Sequence, residues 1–332
     1  ISVCVFVAMS TMIKSAQGIP PGQLVFYRSA FAILPIMVFL IARRQLAVGL
    51  LTARPFSHLA RSTVGVCSMG LSFFALTRLP LPEAIAISYA APLLIVVLSA
   101  LVLKEHVRLY RWSAVLVGLI GVLIIIWPRI TVFSGGNADM TTAIGALAAL
   151  CAAAIASVAM LLTRRLVATE RSATIVIYFS LFSSIIALGT IPFGWVWPTP
   201  GQTALLVGAG IAGGLGQILL TESYRHADMS IIAPFEYTSI LLGVLIGFLV
   251  FGEVPTLEMI LGSAIVVGAG IFIILRESQL GLERAQARTR HRSSGAMRGP
   301  NAWAVPEAPG AHAGQPHARI LEGKHLWTGG PN

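Results

Sequence analysis

Charge is scarce in this chain: 11% of its 332 residues are Asp, Glu, Lys or Arg, against about 25% in an ordinary soluble domain. Aspartate is nearly missing, since Asp139 and Asp228 are the whole complement and both lie between apolar runs. No GxSxG, HExxH or Walker A pattern occurs, so catalysis is not expected and no bound nucleotide is available to drive a cycle. The three cysteines, Cys4, Cys67 and Cys151, sit in apolar segments without metal-ligand spacing and read as packing residues. A GxGxxG does run from Gly208 to Gly213, but no strand precedes it and no ribose-binding acid follows, which removes a dinucleotide site. No cofactor and no metal are expected.

Apolar sequence is abundant. Hydrophobic residues make up 56% of the chain, and runs long enough to cross about 30 Å of hydrocarbon recur with short polar breaks. Ten such runs have cores near 1–17, 23–42, 58–76, 82–103, 111–127, 141–163, 174–195, 203–222, 230–251 and 257–275. Almost no amphipathic polar face accompanies them, which argues against buried helices of a soluble protein. An all-α integral membrane protein with ten transmembrane helices is the expectation. The first run opens at Ile1 and predicts a shortened first helix; no basic leader or small-x-small cleavage site marks it as a signal peptide.

Basic residues divide unevenly between alternate loops. Arg43, Arg44, Arg54, Arg61, Lys104, Arg108, Arg111, Arg164, Arg165, Arg171 and Arg225 fall on one side, and only Lys14, Arg78 and Arg129 on the other. Cytoplasmic loops retain the basic excess, so both termini are expected inside, and the net charge of +10 reports topology rather than nucleic-acid binding. Beyond residue 276 a tail rich in Gly, Pro, Ala, Arg and His is expected to be disordered and cytoplasmic, with basic residues able to meet anionic lipid.

The chain also resembles itself at an offset of 148 residues. "ISYAAPLLIVVLSALVLKEH" (87–106) falls on "FEYTSILLGVLIGFLVFGEV" (235–254), so that Tyr89 meets Tyr237 and Glu105 meets Glu253. Five runs per half force the second copy to cross in the opposite sense, which predicts two inverted five-helix repeats, residues 1–130 and 131–276, with a 277–332 tail. Inverted repeats place a substrate site near the midplane between the halves.

The blocks "LPLPEAIAISYAAPLLIVVLSALVLKEHVRLYRWSAVLVGLIGVLIIIWP" and "ADMSIIAPFEYTSILLGVLIGFLVFGEVP" resemble the drug/metabolite transporter superfamily, in particular its ten-helix carriers with two EamA-type domains. The "RPFSHLARS" and "APFEYT" stretches look like a bacterial branch that contains riboflavin and S-adenosylmethionine uptake carriers. The resemblance implies a gradient-driven secondary transporter in the bacterial inner membrane, with export of amino acids or related metabolites as the alternative. A channel or lipid scramblase is the reading from a different class. Expected partners are a small-molecule substrate, the lipid bilayer and, as one option, a second copy in a homodimer.

Site candidates follow from polarity inside apolar runs. An ionised carboxylate at the bilayer centre costs about 2.5–3.5 kcal/mol on insertion scales, so Glu236 faces protein, water or solute. At the repeat offset Glu236 and Tyr237 map onto Ser88 and Tyr89; Pro234 frees a carbonyl of the preceding turn that adds polarity beside the acid, and the Ser88–Tyr89 helix carries Pro92. The four residues are expected to form a pocket in which tyrosine rings meet a planar solute while Glu236 binds a cation or exchanges a proton. The competing reading pairs Glu236 with Arg28 or Lys14 as a helix staple. Arg28 itself either holds a substrate carboxylate or phosphate or snorkels to head groups, and Lys14 invites the same two readings. Met69, Phe73 and Phe74, with Gln217, are candidates for the cavity wall, and ordinary packing is the alternative for each. Glu222 is a candidate gate that could equally meet Arg225. Glu83 is expected to cap its helix. Gly210 and Gly214, and the alanines 146, 149, 153 and 156, are spaced for close helix contact.

Overall fold

The protein is described by a computed structural model. Its described backbone covers residues 1–102, 104, 107–130, 139–167, 169–226, 232 and 235–296. Residues 1–281 form one compact unit and residues from 282 onward a separate one. The elements are α1 (Ser2–Ser15), α2 (Pro21–Ala42), α3 (Leu46–Gly49), α4 (Pro55–Leu76), α5 (Leu81–Ser88), α6 (Ala90–Val102), α7 (Leu109–Ile130), α8 (Met140–Val167), α9 (Ser172–Leu188), α10 (Pro200–His226), α11 (Thr238–Phe251) and α12 (Leu257–Ala296).

Local chemistry sets many of these ends. Proline stands at or next to the first position of α2, α4 and α5, where its missing N–H costs nothing and its fixed φ suits a helix start. Thr199 and Gln202 cap α10 reciprocally: Thr199 N–H donates to Gln202 Oε1 at 2.9 Å, and Gln202 N–H donates to Thr199 Oγ1 at 3.3 Å. Gly252 ends α11 at φ 65°, a left-handed conformation that glycine adopts without a Cβ penalty. The break between α5 and α6 at Tyr89 also has a cause. Pro92 has no N–H to offer the carbonyl four residues back, that of Ser88, so the ladder is interrupted there.

The expectation of ten transmembrane helices is corrected by helix length. Among the described residues seven spans are long and apolar enough to cross a membrane: Pro21–Ala42, Pro55–Leu76, Leu81–Val102, Leu109–Ile130, Met140–Val167, Pro200–Ser223 and Leu257–Arg276. Three further apolar helices are shorter. At 1.5 Å per residue the 14-residue α1 and α11 reach about 21 Å and the 17-residue α9 about 25 Å, below the hydrocarbon thickness. Hydropathy counted the residues of a run without seeing where the helix within it starts or stops, as at Tyr237, a turn residue inside the run from 230 to 251. The architecture is therefore an all-α membrane protein with seven long spans, and the ten-span, five-plus-five description does not stand.

The outer surface carries many large apolar side chains. Trp197 is 99% exposed, and Phe56, Leu109 and Phe193 are also largely exposed; apolar surface of this extent belongs against lipid. Cys4, Cys67 and Cys151 are free and exposed, so they are not interior packing residues; their helices turn that edge outward. The interior holds two large clusters. One centres on Ala86, Ile87, Ile125, Ala149 and Met259, and the other on Ile13, Leu24, Phe73, Leu81 and Leu206. Small residues let the helices approach: Ala146, Ala149 and Ala153 are buried, and Ser68 Oγ of α4 donates to the Ala152 carbonyl of α8 at 2.9 Å.

The proposed tail from 277 continues helical in backbone to Ala296, and residues 297–332 lie outside the described residues. Glu105, which supports the repeat, and Pro234, expected to free a carbonyl beside Glu236, lie outside them as well.

Candidate functional site

Two adjoining cavities open inside the bundle. The larger, about 410 Å³, is walled by α1, α2, α4, α5, α8 and α9 and lined by Arg28, Arg61, Met69, Phe73, Ser88 and Phe179 among others. The second, about 330 Å³, is lined by Phe6, Tyr89, Leu220, Glu236 and Ser239. Ser10, Ile85 and Met160 line both. The two therefore adjoin as lobes with mainly apolar walls, with guanidinium groups in the first and a carboxylate in the second.

The Glu236 lobe forms where two helical interruptions meet. The Tyr89 hydroxyl, at the α5–α6 break, donates to the backbone carbonyl of Glu236 and lies 2.7 Å from Ser239 Oγ, from which it accepts because its single proton is already committed. Its ring lies 4.8 Å from that of Tyr237, tilted by 37°. Gly270 of α12 makes room for the Tyr237 hydroxyl, since a Cβ there would overlap it. Tyr89, Glu236 and Tyr237 are thus brought together as the repeat offset suggests. Ser88 is not part of that group: its Oγ donates to the Ile85 carbonyl at 2.6 Å, and it lines the other lobe.

The guanidinium lobe was only half visible beforehand. Arg28, 8% exposed, lies inside the bundle rather than at a head-group surface. Arg61, counted with the loops, belongs to α4 and points the same way; its Nε donates to Thr163 Oγ1 at 3.0 Å. Its guanidinium carbon lies 3.8 Å from the centroid of the Phe179 ring, and that of Arg28 lies 5.8 Å from the same ring, within cation–π reach. One turn before Arg61, buried His58 stands 4.0 Å from Glu170, and its ring lies 5.0 Å from that of Tyr178, tilted by 30°. Glu170 also accepts from Thr52 Oγ1 at 2.8 Å and Ala53 N–H at 3.2 Å. Arg61 and His58 lie in the "RPFSHLARS" stretch, which was read for family resemblance and not for a site; no motif announces Phe179 or Glu170, and the loop count ignored depth.

The remaining candidates sit elsewhere. Lys14 pairs with Glu253 and donates to the Leu79 carbonyl, while the other oxygen of Glu253 accepts Leu81 N–H at 2.8 Å. The group ties the end of α1 to the α4–α5 turn and the end of α11, and Lys14 is not a cavity residue. Phe73 lines the larger lobe, whereas Phe74 lies beneath the Arg78 guanidinium, 3.5 Å from ring centroid to carbon. Gln217 and Glu222 line a separate pocket of about 220 Å³ beside α2, α3 and α9, and Glu222 lies 3.5 Å from Arg43; the Arg225 side chain is outside the described residues. Glu83 lies in the first turn of α5, where an acid suits the helix dipole, and it also accepts two bonds from Arg129, one of 3.0 Å from Nε and one of 2.5 Å from Nη2.

Apolar helices around a charged internal cavity define a membrane transport protein. The EamA-like transporter family model matches residues 1–127 and 143–276, and the chain belongs to that family, within the drug/metabolite transporter superfamily; a solute carrier family 35 model also matches residues 75–192. The chain is 30% identical to the pseudopaline exporter of Pseudomonas aeruginosa, over 80% of this chain and 90% of that one. It is 32% identical to a riboflavin transporter of Vibrio cholerae over 79% and 85%, and 26% identical to an S-adenosylmethionine uptake transporter of Rickettsia prowazekii over 77% and 84%. One solved crystal structure superposes with a TM-score of 0.57 at 22% identity, over 82% of this chain and 94% of that one, a likeness that concerns the fold alone. The protein is a multi-pass membrane transporter of small organic molecules rather than an enzyme. Among the described residues no group of three or more His, Cys, Asp or Glu is placed to hold a metal.

Proposed function

We propose that this chain is a secondary carrier of the bacterial inner membrane that moves a small metabolite by alternating access, with the two-lobed cavity as its substrate site. The observation that carries the reading is Glu236 beside the Tyr89 break, in a half-open cavity between apolar helices. Ionisable groups inside a membrane protein mark solute pathways, and interrupted helices supply the free backbone polarity that such sites use. On this reading Glu236 meets a cationic group or exchanges a proton, Tyr89 forms the aromatic wall with Tyr237 packed against its ring, and Ser88, Phe73 and Arg28 line the connected lobe. The two EamA-like halves, residues 1–130 and 131–276, move against each other. The Lys14–Glu253 tie closes one end, and Glu222 with Arg43 gates the other.

S-adenosylmethionine uptake is the substrate reading we favour. That molecule brings a cationic sulfonium and amine toward Glu236 and a purine toward the Tyr89 ring, whereas riboflavin carries no positive charge to complement a carboxylate. The cavity is lined by residues of one chain, so the reading requires no second copy. Purified protein in proteoliposomes is expected to show saturable counterflow of labelled S-adenosylmethionine, and the same solute to raise the unfolding temperature where riboflavin and aromatic amino acids do not. Glu236→Gln is expected to weaken apparent affinity by about 10- to 100-fold, the range of about 1.5–3 kcal/mol for a hydrogen bond to a charged group. Normal counterflow in a folded Glu236→Gln protein removes the acid from the mechanism. Unsaturated single-channel currents would instead make the protein a pore.

A further inference from the structure

We propose that Arg28 and Arg61 form an oxyanion subsite, holding a carboxylate or phosphate group of the solute between their guanidinium groups. The inference rests on the carrier reading above and deepens it by naming the charge of the solute's second end.

Both cations line the same cavity, Arg28 buried and Arg61 partly buried, and among the described residues neither has a countercharge. Arg28 is 8% exposed, and Arg28 Nε and Arg61 Nη1 are enclosed without a hydrogen-bond partner. Among the described residues neither arginine forms an ion pair: Glu170 is engaged by His58, Thr52 and Ala53, and Glu236 belongs to the other lobe. What they do touch, the Phe179 ring and the Thr163 hydroxyl, stabilises a cation without neutralising it. A buried charge is tolerated when paired and strongly disfavoured when alone, so two facing one cavity leave a place for an anion. The fork of N–H donors on arginine matches the geometry of a carboxylate or phosphate.

Two glycines make the space. A Cβ on Gly213 of α10 would lie 3.2 Å from Arg28 Nε, and one on Gly65 of α4 would lie 2.7 Å from Phe179 Cε2 and 3.7 Å from Arg61 Nη1. The missing side chains let Arg28 fold in beside α10 and let the Phe179 ring settle beside Arg61. With Glu236 in the adjoining lobe, the solute carries an anionic group and a cationic group on one small body.

The test uses the full chain in phosphatidylcholine nanodiscs, with low-millimolar inorganic phosphate or citrate as probe and ionic strength held constant with chloride. The wild type is expected to gain several degrees in unfolding temperature, and Cys67→Ser, altered on the outer surface, to gain the same. Arg28→Gln and Arg61→Gln are expected to gain nothing, and Arg61→Lys to gain part. No gain in the wild type overturns the subsite, as does an equal gain in both Gln variants, which is generic salting. If a Gln variant fails to fold, the Arg→Lys variant at that position replaces it, and an unchanged citrate midpoint there counts against the subsite. Phosphatidylglycerol nanodiscs form the second arm. A raised unfolding temperature without probe, lost in the variants, assigns the anion to a lipid head group and overturns the solute assignment. Counterflow separates the two claims: a probe response without counterflow keeps the subsite and removes the carrier, and counterflow without a probe response does the reverse.

Discussion

Arg129→Ala is expected to destabilise the folded protein by about 3–5 kcal/mol, the range for breaking a buried ion pair from one side. The variant strands Glu83, whose side chain is 4% exposed and loses both guanidinium donors. The reverse change should cost less. Glu83→Ala leaves Arg129, 26% exposed, which can extend its apolar stem toward polar surroundings and keeps the Glu258 carboxylate nearby; about 1–3 kcal/mol is expected. Replacing both residues with methionine should return most of the loss, because a well-packed apolar pair can match a buried ion pair. The double-mutant cycle, read from unfolding midpoints in one detergent, measures the coupling. Purely additive single losses would show that the pair contributes nothing as a pair. The cost matters for the site because Glu83 sits on α5, which carries Ile85, shared by both lobes, and ends at the Tyr89 break.

How much of this was legible depends on the range of the interaction. Glu236 announced itself, since an acid in an apolar run has few places to go. Its proximity to Tyr89 followed from the internal offset, which carries three-dimensional information within one sequence. Pro92 was legible, since a proline frees a carbonyl at a fixed distance along the chain, but the run 82–103 reads as one helix and its split at Tyr89 is a finding of the structure. Arg61 was not legible: a count of basic residues between runs has no depth coordinate, so an arginine well inside α4 and one in a loop weigh the same. The partners of Lys14 were illegible for another reason. Glu253 lies 239 residues away and Leu79 lies 65 residues away, and nothing local prefers that acid to Glu236. The number of spans failed on length, since α1, α9 and α11 are apolar throughout but too short to cross.

Gly214→Val should be among the most damaging single changes at a helix contact, destabilising the bundle by about 3 kcal/mol or more, while Gly268→Ala should be neutral or stabilising by up to about 1 kcal/mol. Both are glycines in apolar helices, so hydropathy and propensity treat them alike. They differ in what a side chain would meet. A Cβ at Gly214 would lie 2.5 Å from Pro35 Cγ and 2.6 Å from the Ala32 carbonyl oxygen, whereas one at Gly268 would meet nothing within 4 Å. A carbonyl of a neighbouring helix cannot rotate aside as a long side chain can, so α10 and α2 must part, and the strain passes to everything between them. Gly210 repeats the constraint one turn earlier, 2.5 Å from Phe31 Cβ and 2.6 Å from the Tyr27 carbonyl oxygen. Arg28 lies on α2 and is reached through Gly213 of α10, between these two contacts. A tolerated Gly214→Val or a damaging Gly268→Ala, measured as unfolding midpoints, would contradict the packing. Where Gly214→Ala folds with reduced stability, weakened solute affinity is expected with it, because the surface that holds the two helices together also sets where the guanidinium stands.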